Sequence, residues 1–201
     1  NFLTSRRLMY WQVYLHKTSV AYEKMLVSTL LRAKELANMG VELFASPALK
    51  FFLYNDINRE RFKSDPKCLE NFILLDDNDI WTALKVWCNH NDIILATLSQ
   101  GMVNREIFKV EVSPTPCTEE RLNAISERIA KQLHINKEDT RYFISTPSIE
   151  KNMYNPADDS IDILYNDGST TNIAEASDML HLSVLSKKVK KYYICYLREK
   201  K

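Results

Sequence analysis

Glycine is scarce in this 201-residue chain, and the three that occur, Gly40, Gly101 and Gly168, stand alone. A glycine-rich phosphate loop needs several within a few residues, so that kind of nucleotide site is excluded. The four cysteines, Cys68, Cys88, Cys117 and Cys195, are far apart and form no C-x-x-C pair. Such spacing argues against a zinc site or a disulfide framework and suits a reducing cytoplasm. The four histidines fall in the contexts LHKT, NHND, LHIN and LHLS, and none is followed directly by aspartate. A metallohydrolase centre needs clustered His and Asp, and no cluster is visible. No apolar run approaches the roughly 18 to 20 residues that cross a bilayer. An excess of one charge is also missing: 27 Lys and Arg against 26 Asp and Glu leave a formal +1. No global field favours nucleic acid or a membrane surface, so any charged site must be local.

What is present is the composition of a globular protein, 45% hydrophobic and 26% charged. The chain opens NFLTSRR, with no signal peptide and no methionine, and is already close to a helical pattern. A fragment of a longer protein is expected. From about Thr4 to Met39, apolar residues recur mostly at three- and four-residue spacing, which predicts one long helix stopped by Gly40. Its first half is apolar on two sides, so Trp11 and its neighbours need cover on more than one face. A helical zone from about Ser46 to Phe52, the connector INRERF and the turn SDPK follow. LLDDNDIWTALKVWCNH reads as a loop and a helix capped by Asp77 or Asn78, with Asp79 in the first turn. Another helix spans about Asp92 to Asn104.

Beyond that point the period shifts from 3.6 to 2. Strands are expected at Ile107 to Val112, Thr140 to Ser145, Ile161 to Tyr165 and about Thr171 to Ile173, with a closing strand KYYICYL. Helices are expected at Glu119 to Leu133 and Ala176 to Ser186, and the turn NDG at Asn166 to Gly168. The fold class is mainly α with a smaller α+β part. Residues 1–104 form the helical portion, and 105–201 run close to β-α-β-β-α-β, the ferredoxin-like order, with one strand to spare.

Four features can carry chemistry, and each has a plainer reading. His16 with Lys17 can bind phosphate, although a histidine on a long helix is more often a packing residue. Asp76, Asp77 and Asp79 can hold a cation, but helix capping explains them better. Lys187, Lys188, Lys190 and Lys191 can meet a polyanion, but a solvated turn is the simpler account. Arg105 and Lys109, in NREIFKVEV, can converge on one anion if the backbone is helical or if a strand places both on one face.

MYWQVYLHKTSVAYEKML followed by LLRAKEL, then LLDDNDIWTAL, NREIFKVEV and KKYYICYLREK, resembles the C-terminal half of HD-domain phosphohydrolases of the deoxynucleoside triphosphate triphosphohydrolase type. The resemblance covers almost the whole chain, and the order of the motifs carries it more than any one of them. It implies that these residues complete a helical HD-domain fold. Members of that family hydrolyse a nucleoside triphosphate to nucleoside and triphosphate, with a divalent metal held by a His, a His-Asp dipeptide and a later Asp. Those ligands would precede Asn1, so this chain is expected to be non-catalytic alone and to partner an N-terminal HD catalytic half. The resemblance further implies that Tyr10, Tyr14, His16 and Lys17 line the substrate pocket. Arg105 and Lys109 match the R-x-x-F-K motif that binds the phosphates of a regulatory nucleotide at a subunit interface, which makes a homo-oligomer the expected state.

Two rival readings remain. One is a protein-interaction or oligomerisation module, in which the aromatic helix is the partner interface. The other is a nucleic-acid binder that stacks bases on Tyr192, Tyr193 and Tyr196, which near-neutral charge argues against.

Overall fold

The structure is a computed structural model that describes residues 2–151, 161–172 and 189–199, the side chains at 2–4, 7, 11, 149–151 and 189 excepted. The helix expected at Ala176 to Ser186, the lysines Lys187 and Lys188, and the surroundings of the Trp11 side chain lie outside the described residues.

The long first helix is broken. Helix α1 (Phe2–Met9) runs into a wide π turn over Tyr10–Tyr14, in which the Leu15 amide donates to the Tyr10 carbonyl at 2.7 Å. At His16 the backbone is extended, and α2 (Lys17–Asn38) begins afresh. The His16 Nδ1 accepts a hydrogen bond from the Thr18 amide at 3.3 Å. His16 is therefore a helix cap, a role only the unprotonated Nδ1 can fill. The freed Leu15 carbonyl accepts from the Tyr193 hydroxyl at 3.4 Å, a contact made from the far end of the chain.

Helix α2 is the axis of the molecule. Its buried positions Val20, Ala21, Met25, Thr29, Ala33, Leu36 and Ala37 follow steps of three to four residues apart from the two adjacent pairs, as an amphipathic helix requires. They face α7 (Ile93–Val103), which is buried almost all round. The remaining helices are α3 (Pro47–Tyr54), α4 (Arg59–Ser64), α5 (Pro66–Leu74) and α6 (Asp77–Trp87). Two of these differ from expectation: INRERF and SDPK, read as connector and turn, form α4 and the start of α5. Asp65 accepts from the Lys67 amide and Pro66 stands at the first helical position, so the apparent turn is a helix start. The cap of α6 is Asp76, in a reciprocal capping box with Asp79, rather than Asp77 or Asn78.

Strands β1 (Lys109–Ser113), β2 (Ile144–Ser145), β3 (Ser148–Lys151) and β6 (Val189–Tyr196) form one antiparallel sheet, and β4 (Asp162–Leu164) pairs only with β5 (Thr170–Asn172). Strand β6 lies between β1 and the β2–β3 edge, which keep one register and are interrupted at Pro147. Pro147 lacks an amide hydrogen but its carbonyl still accepts from the Tyr193 amide at 2.9 Å, as an edge-strand proline can. Helix α8 (Glu119–Leu133), capped by Thr118, connects β1 to β2. The described strands thus depart from the ferredoxin-like order. The hairpin β4–β5 stands apart from the main sheet, and the last strand takes the middle place. The strand expected at Thr140 to Ser145 is a strand only at Ile144–Ser145, and its first half lies in a 3-10 turn, Lys137–Tyr142, held by the Thr140 hydroxyl donating to the Lys137 carbonyl at 2.6 Å.

Helix α8 covers one sheet face, where Arg128 lies over the Tyr196 ring, and the α1–α2 junction covers the other, where Tyr193 reaches Leu15. One buried cluster runs from Met25 and Leu84 through Phe108, Ile129 and Phe143 to Cys195. The core therefore continues across the boundary between Asn104 and Arg105. The architecture is mainly helical with a small antiparallel sheet. No described helix is long and apolar enough to cross a membrane.

An ionic cluster locks α2 to its neighbours. The Arg32 guanidinium meets both Asp92 oxygens, at 3.1 and 2.6 Å, while Asp92 also caps α7 through the Leu95 amide. Glu35 takes the Tyr142 hydroxyl, Arg32 and Arg141. Burial pushes the Asp92 carboxyl up, but the bonds from Arg32 and Leu95 outweigh it and leave the group below its ordinary 3.8. The Tyr142 hydroxyl, with Arg32, likewise holds Glu35 below 4.5. Carboxylates with depressed folded values add stability above the unfolded range and lose it as pH falls through the folded values. Arg32→Met should cost about 3 kcal/mol at neutral pH, the low end for a buried pair that loses one partner. Thermal melts from about pH 6 to about pH 3 should then fall less steeply in the variant than in the wild type; parallel curves would show that the cluster does not set the acid sensitivity.

Candidate functional site

The end of α7 builds an unusual corner. The Glu106 amide donates to the Gly101 carbonyl at 2.8 Å and the Arg105 amide to the Met102 carbonyl at 3.3 Å, the paired closing bonds of a Schellman motif. That motif needs a left-handed residue between them, usually glycine, and here it is Arg105 at φ 60°. A side chain in that conformation costs roughly 1 to 2 kcal/mol. In return, Arg105 projects from the corner into solvent, and its side chain has no hydrogen bond or ion pair among the described residues.

The corner opens onto a cleft of about 740 Å³, floored by Met25, Gly101, Phe108 and Phe143 and rimmed by Gln100, Asn104, Arg105, Gln132 and Arg198. The rim is held in place from behind. Gln100 donates to the Cys88 carbonyl at 2.7 Å, Gln132 to the Arg198 carbonyl at 3.1 Å, and Arg198 through Nε to the Ile107 carbonyl at 2.9 Å. Arg198 and Gln132 carry no signal in the local sequence, because they reach this rim only when β6 and α8 close on β1. Glu106 and Glu199 also line the cleft, so the rim is of mixed charge.

Lys109 does not line this cleft. It is the first residue of β1, and its ammonium pairs with Glu111 at 3.2 Å and sits 5.6 Å from the centre of the Tyr196 ring. Tyr196 and then Glu111 raise its pKa above the ordinary lysine value. Glu111 is itself held low, first by the Tyr196 hydroxyl at 2.6 Å and then by Lys109 and Arg121. The four-residue spacing of Arg105 and Lys109 therefore corresponds neither to a helix turn nor to one strand face. A helix cap separates them, and Lys109 is engaged with a carboxylate.

A second hollow, of about 710 Å³, lies along α1 and the π turn, lined by Arg6, Met9, Tyr10, Tyr14, Leu15 and Glu23 with Ser5 at its edge. The turn brings Tyr10 and Tyr14 to a ring separation of 5.4 Å, tilted by 54°, and Arg6 lies 5.9 Å from the Tyr10 ring centre. Of the sequence candidates, Tyr10 and Tyr14 meet in this hollow, whereas His16 and Lys17 are outside its lining and exposed. Arg6 and Glu23 were missed, although Arg6, Tyr10 and Tyr14 stand four residues apart. A hollow with two aromatic rings, one cation and one carboxylate can stack a flat ring and hold polar groups at its edge.

The other candidates resolve simply. Asp76 and Asp79 cap α6, and among the described residues no group of three His, Cys, Asp or Glu side chains is placed to hold a metal. Lys190 lies over the Tyr192 ring at 5.2 Å. Tyr193 and Tyr196 are buried and are not platforms for stacked bases.

The chain is similar to a solved structure described as a phosphohydrolase from Bacteroides thetaiotaomicron, 72% identical with a TM-score of 0.93, over 98% of this chain and 49% of that one. It is also 30% identical over 115 residues to the uncharacterized protein YwfO of Bacillus subtilis, which covers 57% of this chain and 24% of that protein. The chain spans about half the length of the solved structure, and its matched residues span about a quarter of YwfO. No protein-family model matches it.

The corner yields a direct test. Arg105→Gly relieves the left-handed strain but loosens the unfolded chain, so stability should stay within about 1 kcal/mol of wild type by chemical denaturation. A loss well beyond that would mean that the Arg105 side chain holds the fold.

Proposed function

We propose that this chain is the C-terminal part of an HD-domain phosphohydrolase that acts on (deoxy)nucleoside triphosphates. The observation that carries the reading is the likeness over 98% of this chain to a protein described as a phosphohydrolase, of which it matches about half. The motif order in the sequence supports the narrower HD-domain assignment. In this reading the divalent metal and its ligands belong to an N-terminal catalytic half, and no step through a metal is assigned to the residues described. The working enzyme is a cytoplasmic homo-oligomer.

The chain's own contribution is positioning. Tyr10 and Tyr14 face the substrate with Arg6 beside them, and His16 and Lys17 stand outside that wall at the start of α2. Arg105 takes a phosphate of a regulatory nucleotide, for which a free, planar guanidinium is well suited. Lys109 joins it only by exchanging Glu111 for phosphate, so the site has a competitor built in. The rival reading as an interaction module is favoured by one observation, the exposed apolar side chains Leu69, Phe72, Ile73 and Leu74 of α5.

The test uses the protein that contains both halves. Arg105→Ala should weaken nucleotide activation about ten- to a hundredfold, the equivalent of one charge-assisted bond, with turnover of the activated enzyme unchanged. Glu111→Gln should instead lower the activating concentration, because it frees Lys109. Activation curves that coincide for wild type and both variants would return Arg105 and Lys109 to a structural role. The present chain alone should release no phosphate or triphosphate with any divalent metal.

A further inference from the structure

Lys109 stands outside the cleft beside Arg105 and is engaged by Glu111, so an anion held at Arg105 within the cleft needs another cation. The end of the chain supplies one. Arg198, just past β6, lines the same cleft, is exposed, and donates through Nε to the Ile107 carbonyl at 2.9 Å. Its two terminal nitrogens have no partner among the described residues.

Arg198 is fixed by its surroundings. The Leu197 amide donates to the Phe143 carbonyl at 3.1 Å, Arg128 donates to the Leu197 carbonyl at 2.7 Å, and Gln132 donates to the Arg198 carbonyl at 3.1 Å. Sheet and α8 thus hold the backbone, and the Nε bond aims the side chain. A guanidinium tied through Nε keeps its outer pair of nitrogens for two parallel bonds to one phosphate. Held in advance, it loses little entropy on binding.

Two features oppose an anion here. Helix α7 ends at this corner, and its last carbonyls carry the negative pole of the helix. They are occupied: the carbonyls of Gln100, Gly101 and Met102 accept the amides of Asn104, Glu106 and Arg105. The second feature is a pair of carboxylates, of which Glu199 meets Arg128 at 3.6 Å, while Glu106 is exposed and has no ion pair among the described residues. Two unpaired guanidiniums therefore share the rim with one unpaired carboxylate. That excess suits a polyphosphate, and Glu106 suits the hydroxyl or amino donors that a nucleotide carries beyond its phosphates. A volume of about 740 Å³ over an apolar floor lies within the roughly 300 to 1,000 Å³ of small-molecule sites.

We propose that Arg198 and Arg105 together grip the polyphosphate of a nucleotide in this cleft, with Arg198 as a phosphate ligand that the R-x-x-F-K motif does not contain. The inference deepens the reading of Arg105 as a phosphate ligand and rests on it.

Calorimetric titration of the protein that contains both halves tests it, with EDTA present to stop turnover and with dATP and inorganic triphosphate as probes. Each probe should show a binding event that Arg198→Ala weakens about tenfold, as Arg105→Ala does, with the melting temperature unchanged. Arg198→Gln keeps a donor for the Ile107 carbonyl but loses the charge, and should bind as poorly as Arg198→Ala. Glu106→Gln removes a like charge and should bind inorganic triphosphate several-fold more tightly. Inorganic triphosphate bound in this way with dATP excluded would keep the two-arginine site and make its ligand a free polyphosphate. Wild-type affinity in Arg198→Ala or Arg198→Gln, or no gain in Glu106→Gln, would overturn the proposal. Binding that depends on Arg198 without any activation would sink the regulatory role of Arg105 and leave this site standing, whereas activation lost in Arg105→Ala but intact in Arg198→Ala would do the reverse.

Discussion

The structure depends on one close approach within its helical portion, that of α7 to α2 at Gly101. A Cβ there would lie 2.8 Å from the Met25 methyl, the far end of a flexible side chain, and 3.2 Å from the Glu106 carbonyl, so a larger residue would need both to give way. Met25, 1% exposed, fills the gap and accepts the Phe108 amide on its sulfur at 3.3 Å. Phe108 in turn is buried at the entry to β1. The glycine, the methionine and the phenylalanine thus connect helical packing to sheet, and the Schellman corner that presents Arg105 closes directly above them. In a core packed as densely as a crystal, an added methyl at Gly101 would be felt at the cleft as well as in the helices.

Polar networks then distribute roles around that core. The cluster of Arg32, Glu35, Asp92, Arg141 and Tyr142 joins α2 to the start of α7 and to the 3-10 turn. On the far sheet face, Glu111 gathers Lys109, Arg121 and Tyr196. The two clusters look alike, but they differ in exposure. Arg32 and Asp92 side chains are 14% and 16% exposed, which makes the first a structural clamp, whereas Lys109 is 55% exposed and its ion pair is weakly held against solvent. A weak, solvated pair can exchange partners; a buried one cannot without leaving a bare charge. Arg105 is likewise exposed, and its side chain has no partner among the described residues.

Much of the helical part was legible from sequence alone. Helix α8 has the bounds that periodicity and its Thr118 cap predict, and α7 follows Asp92 as expected. The same reasoning failed where local signals mislead. Asp65-Pro66 looks like a turn but starts a helix, and nothing in MYWQVYLHK marks the π turn, because no proline or glycine stands at the break. The pairing of Tyr10 with Tyr14 was visible as spacing; the separation of Arg105 from Lys109 was not.

By itself the sequence determined the mainly helical class, the switch to period-two alternation after Arg105 and the bounds of α8. Tertiary structure decided that β6 enters the middle of the sheet, that Tyr193 and Tyr196 are buried, that Lys109 turns to Glu111, and that α5 shows its apolar side to solvent. The division has a physical cause. Propensity, capping and periodicity act over a few residues and are written in adjacent letters, whereas strand order and side-chain partners depend on which distant surfaces meet when one core is closed.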